Sequence, residues 1–89
     1  MTNFKLADIG REVLALVDEA LGLGGRALLF QPDTPLLGAL PELDSMAVVG
    51  VLNLLQERFG FIIGDDDEVG GATFATVETL VVFVAGKLG

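Results

Sequence analysis

All three prolines of this 89-residue chain, Pro32, Pro35 and Pro41, fall within one short stretch. A proline fixes φ, lacks an N–H and clashes with the helical turn before it. No helix crosses this stretch, so the chain divides into a segment before it and a segment after it. Neither flanking segment shows strand alternation of useful length. Both carry apolar residues at three- and four-residue steps, the spacing of amphipathic helices. In the first segment Leu6, Ile9, Val13, Leu16, Val17 and Ala20 form one stripe, with Asp8, Arg11, Glu12, Asp18 and Glu19 mostly opposite. Thr2 or Asn3 is the expected cap, and Gly22, Gly24 and Gly25 the expected stop. The proline stretch, from about Gly22 to Leu43, still holds Leu28, Leu29, Phe30, Leu36, Leu37, Leu40 and Leu43. A solvated loop does not need so many large apolar groups, so this one is expected to pack across the helices and join the core.

After the prolines, Asp44 is a strong N-cap and Ser45 takes the first helical position. Val48, Val51, Leu52, Leu55 and Phe59 give the buried stripe, and Gly60 ends the helix. Phe61-Ile62-Ile63-Gly64 and the acidic run Asp65 to Glu68 follow. A short helical turn is expected from around Glu68 to Thr73. Gly70 and Gly71 each cost about 1 kcal/mol there relative to alanine, so the turn should be short, frayed or absent. A last helix is predicted from about Thr76, its cap, to Lys87, with Val77, Leu80, Val81, Val84 and Leu88 inward. The expected fold is an all-α single domain spanning residues 1–89: three long helices and one short, with a long loop between the first two.

Composition narrows the chemistry. Thirteen acidic and five basic residues leave a formal charge of −8, and there is no histidine, cysteine, tryptophan or tyrosine. The commonest general base, thiol chemistry and Cys-ligated zinc are thereby excluded, and no carboxylate pair sits at a recognisable catalytic spacing. The chain is not expected to be an enzyme. Its charge repels phosphate backbones, so no nucleic acid is expected, and it favours basic protein surfaces. The most apolar run, Leu80 to Ala85, is far short of the roughly 20 residues of a membrane helix. No membrane insertion is expected, and a cytoplasmic monomer is. Gly22-Leu23-Gly24-Gly25-Arg26-Ala27 matches G-x-G-x-x-A, but it follows a helix rather than a strand and reads as a helix stop. Asp65 to Glu68 lacks the alternating ligands of a calcium loop, so no metal site is expected.

Ser45 is the only serine. Leu43-Asp44-Ser45-Met46 resembles the Asp-Ser-Leu/Met motif of acyl carrier proteins. The resemblance continues in the amphipathic first helix, the Pro-containing loop, Arg58-Phe59-Gly60, Phe61-Ile62-Ile63 with its acidic turn, and Phe74-Ala75-Thr76-Val77. It implies that Ser45 carries 4′-phosphopantetheine from coenzyme A, attached by a phosphopantetheinyl transferase. It also implies that acyl or aminoacyl groups are held on that arm as thioesters in fatty-acid or other lipid metabolism, and passed between acyl-loading and acyl-transferring enzymes. Asp44 would cap the helix and stand near a metal ion of the modifying enzyme. Nothing near Ser45 can deprotonate it, so Ser45 is a substrate of another enzyme rather than a nucleophile on its own. Val48, Leu52, Leu55, Phe59, Ile62, Phe74 and Leu80 are the expected lining of a cavity for an apolar chain.

The second helix departs from the family pattern. Carriers of this kind place acids on its exposed face, whereas Ala47, Gly50 and Gln56 stand there here and Glu57 remains. Met46 and Val49, with Leu54, leave an apolar face. Met46, Val49, Gly50, Asn53 and Glu57 are therefore the expected partner-binding residues, for a partner that grips an apolar patch rather than a charge pattern. This points to a dedicated pathway. The stretch from Leu36 to Met46 also resembles discrete carriers found with exosortase and exopolysaccharide gene clusters. The alternative function is an unmodified helical adaptor that uses the Met46/Val49 face.

Overall fold

The computed structural model describes residues 6–64 and 69–88. Helix α1 spans Leu6–Leu21, α2 spans Ser45–Phe59 and α3 spans Val77–Leu88, with a single 3-10 turn at Arg26–Leu29 in the first loop. No strand occurs among the described residues; one isolated antiparallel bridge pairs Pro35 with Thr76. The expected caps at Thr2 or Asn3, the Asp65 to Glu68 run and the side chain of Leu6 lie outside the described residues.

α1 is the central element and packs against both α2 and α3. Ile9, Val13, Leu16 and Val17 are buried as the spacing predicts, but Ala20 is exposed, because in the last turn the core-facing position falls on Leu21, which packs against the core, and Ala20 lies beside it. The helix then stops in a Schellman motif. Gly22 adopts φ 63°, its N–H reaches the Glu19 carbonyl at 3.4 Å, and the Leu23 N–H reaches that of Asp18 at 3.0 Å. Leu23 is folded back into the core. The Asp18 carboxylate accepts the Gly25 N–H at 2.7 and 2.8 Å. The glycine-rich stretch is thus a helix stop, and a backbone donor that a phosphate loop would offer is already taken by a carboxylate.

The proline loop is bound to the start of α3. Thr34 and Pro32 carbonyls accept the Val77 and Glu78 N–H groups at 3.1 and 2.8 Å, while Leu36 and Leu37 donate to Ala75 and Phe74 at 3.0 and 2.9 Å. Thr76 caps α3: its Oγ1 accepts from the Thr79 N–H at 3.3 Å, and the Thr79 Oγ1 accepts from the Thr76 N–H at 3.0 Å. Leu36 and Leu43 enter the core as expected, Phe30 and Leu40 pack on its edge, and Ala27, which the sequence reading did not single out, is fully buried. Leu28, Leu29 and Leu37 are exposed, contrary to the expectation for this loop. The 3-10 turn aims its two leucines outward. Residues 70–74 form one hydrogen-bonded turn, with Thr73 and Phe74 N–H groups on the Gly70 carbonyl at 3.1 and 3.3 Å, in place of a short helix.

Among the described residues, ion pairs at Arg58 and Arg26 tie the elements together. Arg58 of α2 donates from Nε and Nη2 to the Glu12 carboxylate of α1 at 2.7 to 3.1 Å, and Arg26 binds Glu42 at 2.6 Å. The Glu42 backbone N–H and the Arg26 guanidinium hold the Glu42 carboxyl below its ordinary value of 4.5. A depressed folded-state pKa stabilises the fold above the unfolded value and loses that contribution as pH falls through the folded one. Glu42→Gln is therefore expected to be less stable than wild type near pH 6. The difference should shrink below about pH 4.5; urea midpoints across this range measure it.

Candidate functional site

Asp44 and Ser45 bring the loop onto α2. Asp44 is extended, and its Oδ1 accepts the Ala47 N–H at 2.8 Å, so it is the N-cap that the residue order predicts. Ser45 is the first helical residue, and its side chain is exposed. A helix leaves its first N–H groups without intrahelical partners. At α3 these groups are filled by Thr34, Pro32 and Thr76. At α2 only the Ala47 N–H is capped. The N–H groups of Ser45 and Met46 find no acceptor among the described residues. The α2 start is thus an exposed hydroxyl beside two open donors and the positive end of a helix dipole. No histidine exists in the chain, and the Asp44 carboxylate is engaged in capping. Asp44→Ala is expected to cost about 1 kcal/mol, lowering Tm by roughly 4–8 °C in calorimetry.

Met46, Val49, Gly50, Asn53 and Glu57 are all exposed and fall on one stripe of α2 beginning beside Ser45, as expected. Met46 is 81% exposed. The other positions taken as facing solvent do not. Ala47 and Leu54 are half-buried and pack against the core. Gln56 is half-buried and serves the fold: its Oε1 accepts the Ile63 N–H at 2.9 Å, and its Nε2 donates to the Leu52 carbonyl at 3.3 Å. It returns the chain after Gly60 (φ 73°) along the end of α2.

The expected cavity lining is only partly assembled. Leu55, Phe74 and Leu80 are fully buried core residues, and Val48, Leu52 and Phe59 pack around them. Ile62 does not join them, being 81% exposed. Its neighbour Phe61 is the buried one, edge-on to Phe83 at 6.4 Å, so the alternation of this extended segment turns Ile62 outward. A half-open apolar groove of about 550 Å³ lies elsewhere, between α1, α3 and the loop. Leu14, Phe30, Pro32, Val77, Val81 and Val82 wall it, with Gly10 among its lining residues. Its walls come from three distant parts of the chain. The one local signal was a glycine inside α1.

No protein-family model matches the chain, and a search of curated proteins finds no match. Among solved structures, the solution NMR structure of a holo acyl carrier protein from Nitrosomonas europaea superposes with a TM-score of 0.82. The two are 42% identical over 89% of this chain and 94% of that one. The chain belongs to the acyl carrier protein family. Members of this family are carriers rather than enzymes. The three-helix architecture is the carrier fold, and a carrier works by meeting enzymes. No helix among the described residues is long and apolar enough to cross a membrane.

Proposed function

We propose that this carrier is loaded with 4′-phosphopantetheine on Ser45. The observation that carries the reading is the exposed lone serine at the first position of α2, with the Ser45 and Met46 N–H groups open beside it. The resemblance of Leu43-Asp44-Ser45-Met46 to the family motif, and the holo state of the Nitrosomonas relative, support it.

The residues fit the group. In the loading step the Ser45 Oγ bonds to the coenzyme A phosphorus that bears the pantetheine oxygen. The P–O bond of the anhydride breaks, and the adenosine bisphosphate leaves with its electron pair. The hydroxyl proton passes to a base of the transferase. The product is a phosphodiester monoanion, and the open N–H groups and helix dipole stabilise it by roughly 0.3–1 kcal/mol at an exposed site. Asp44 keeps the first turn of α2 formed and can face the transferase's metal ion. When attached, the arm supplies a thiol that holds acyl or aminoacyl groups as thioesters. Acyl-loading and acyl-transferring enzymes would then meet the carrier over Met46, Val49, Gly50, Asn53 and Glu57, in a dedicated cytoplasmic pathway.

Phosphorus NMR of the modified protein tests the linkage. A diester has no second ionisation, whereas a simple phosphoserine titrates near pH 6. One resonance that does not move between about pH 5 and 8 is expected. A titrating resonance would contradict the reading. A Ser45→Ala protein that retained its full pathway role would favour the adaptor instead.

A further inference from the structure

The apolar groove between α1, the proline loop and α3 lies apart from the proposed attachment site, and α2 supplies none of its lining. Gly10 lies within α1 and borders the groove, and a Cβ built there would meet the Val81 side chain at 3.9 Å. Without that side chain a hollow remains beside Val81. Val82 lines the groove yet is 57% exposed, so it stands at the lip as a knob. One patch thus carries both a hollow and a projection. Apolar surface continues beyond it: Leu28 and Leu29, just before the wall residue Phe30, are exposed, Leu29 by 79%. A small molecule held in the groove would leave these leucines in water, whereas a protein surface can cover them.

Charge points to the occupant. Among the described residues, Arg11 on α1 and Glu78 on α3 are the charged members of the lining, so the patch is neutral in a chain of net charge −8. A basic partner gains nothing from a neutral patch, whereas a second copy, repelled by the acidic remainder of the surface, meets the least repulsion here. Arg11 touches Asp8 at 3.7 Å through an exposed pair, a contact worth little. The Glu78 carboxylate has no cation beside it among the described residues. Gly10 and Val81 are neighbours across the two helices, so Arg11 and Glu78 stand within about one helical turn of the same level. A two-fold axis running along the groove lays α1 of each copy over α3 of the other. That sets Arg11 of one copy against Glu78 of the second copy, and Val82 of one over Gly10 of the second, and the reverse.

From this self-complementary patch we infer that two copies of the carrier associate reversibly through the groove between α1 and α3, with Arg11 of each paired to Glu78 of the other. The inference does not depend on the modification of Ser45, and it replaces the monomer expected from the sequence. Because α2 contributes no wall to the groove, both Ser45 hydroxyls stay open to an enzyme in the pair. One groove and its rim make a transient contact rather than a permanent dimer, so a Kd of the order of 0.1 mM is expected.

Sedimentation equilibrium of the full chain, from about 0.02 to 1 mM at a physiological ionic strength of about 0.15 M, tests it. The wild-type average mass should climb from that of one chain toward that of two. Val82→Asp, at an exposed position, should keep its melting curve within a few degrees of wild type and stay a single chain throughout. Arg11→Glu and Glu78→Arg each set like charges against each other twice, so each should raise Kd about tenfold. The double variant restores both pairs and should return Kd to within about threefold of wild type. Glu78→Arg separates pairing from general repulsion: it makes the chain less negative, which alone would tighten association, yet it is expected to weaken it. Wild type that remains a single chain at every concentration would overturn the inference. So would a double variant no tighter than the single ones, or Val82→Asp associating like wild type. Wild type that stays single while dodecanoate shifts the amide resonances of Leu14, Val81 and Val82 would also overturn it, giving the groove to an apolar small molecule.

Discussion

Ser45→Ala is expected to give a folded carrier that carries nothing. The Ser45 side chain is exposed and makes no hydrogen bond within the described residues, so its removal leaves no buried group unpaired and no cavity. Surface changes of this kind shift stability by no more than about 0.5 kcal/mol. Incorporation of a fluorescent coenzyme A analogue should fall to background, because no other serine can take the group. Threonine at this position keeps a hydroxyl but crowds it with a methyl group, so Ser45→Thr should be labelled slowly. Labelling of Ser45→Ala at the wild-type rate would place the attachment elsewhere.

Phe74→Ala is expected to have the largest effect on stability. Phe74 is among the largest fully buried side chains, and its carbonyl receives the Leu37 N–H where the proline loop meets α3. Removing a buried phenylalanine ring costs about 3–5 kcal/mol, a large share of the roughly 5–15 kcal/mol that holds an ordinary domain together. At about 4–8 °C per kcal/mol, Tm should drop by at least roughly 12 °C. Ile62→Ala, at an exposed position only a few residues beyond α2, should stay within about 0.5 kcal/mol of wild type. Equal effects of the two substitutions would contradict the placement of Phe74 inward and Ile62 outward.

Helix ends were the most legible part of the chain, because their chemistry is local. Asp44 caps α2, Gly60 ends it in a left-handed turn, and Thr76 opens α3 where the residue order places them. Gly22 stops α1 for the same reason. Burial was less legible, because it depends on what packs against a residue. Leu28, Leu29 and Leu37 are as apolar as Leu36 and Leu43, yet only the latter two meet the helices. Periodicity along α1 allows either Ala20 or Leu21 to face inward in the last turn, and only the packing shows that it is Leu21. Gln56 looks like a surface residue in sequence, and only the return of the chain after Gly60 gives its amide a backbone to bind.

The candidate site divides in the same way. Ser45 was legible from its singularity and its position beside an N-cap. The exposed stripe from Met46 to Glu57 follows from helical spacing once α2 has a register. The open N–H groups at Ser45 and Met46 were not legible, because they stand out only against the filled start of α3. The groove walled by Phe30, Pro32, Val81 and Val82 was not legible either, since it joins α1, the loop and α3.

Intact-mass analysis tests the central claim most directly. Wild-type protein and Ser45→Ala are each incubated with coenzyme A and a broad-specificity phosphopantetheinyl transferase, then weighed whole and as peptides. Wild type should gain the mass of one phosphopantetheinyl group, carried on the peptide that contains Asp44-Ser45-Met46, while Ser45→Ala stays unchanged. A wild-type protein that keeps its original mass, or a group mapped to any other residue, would contradict the assignment of Ser45 as the tether.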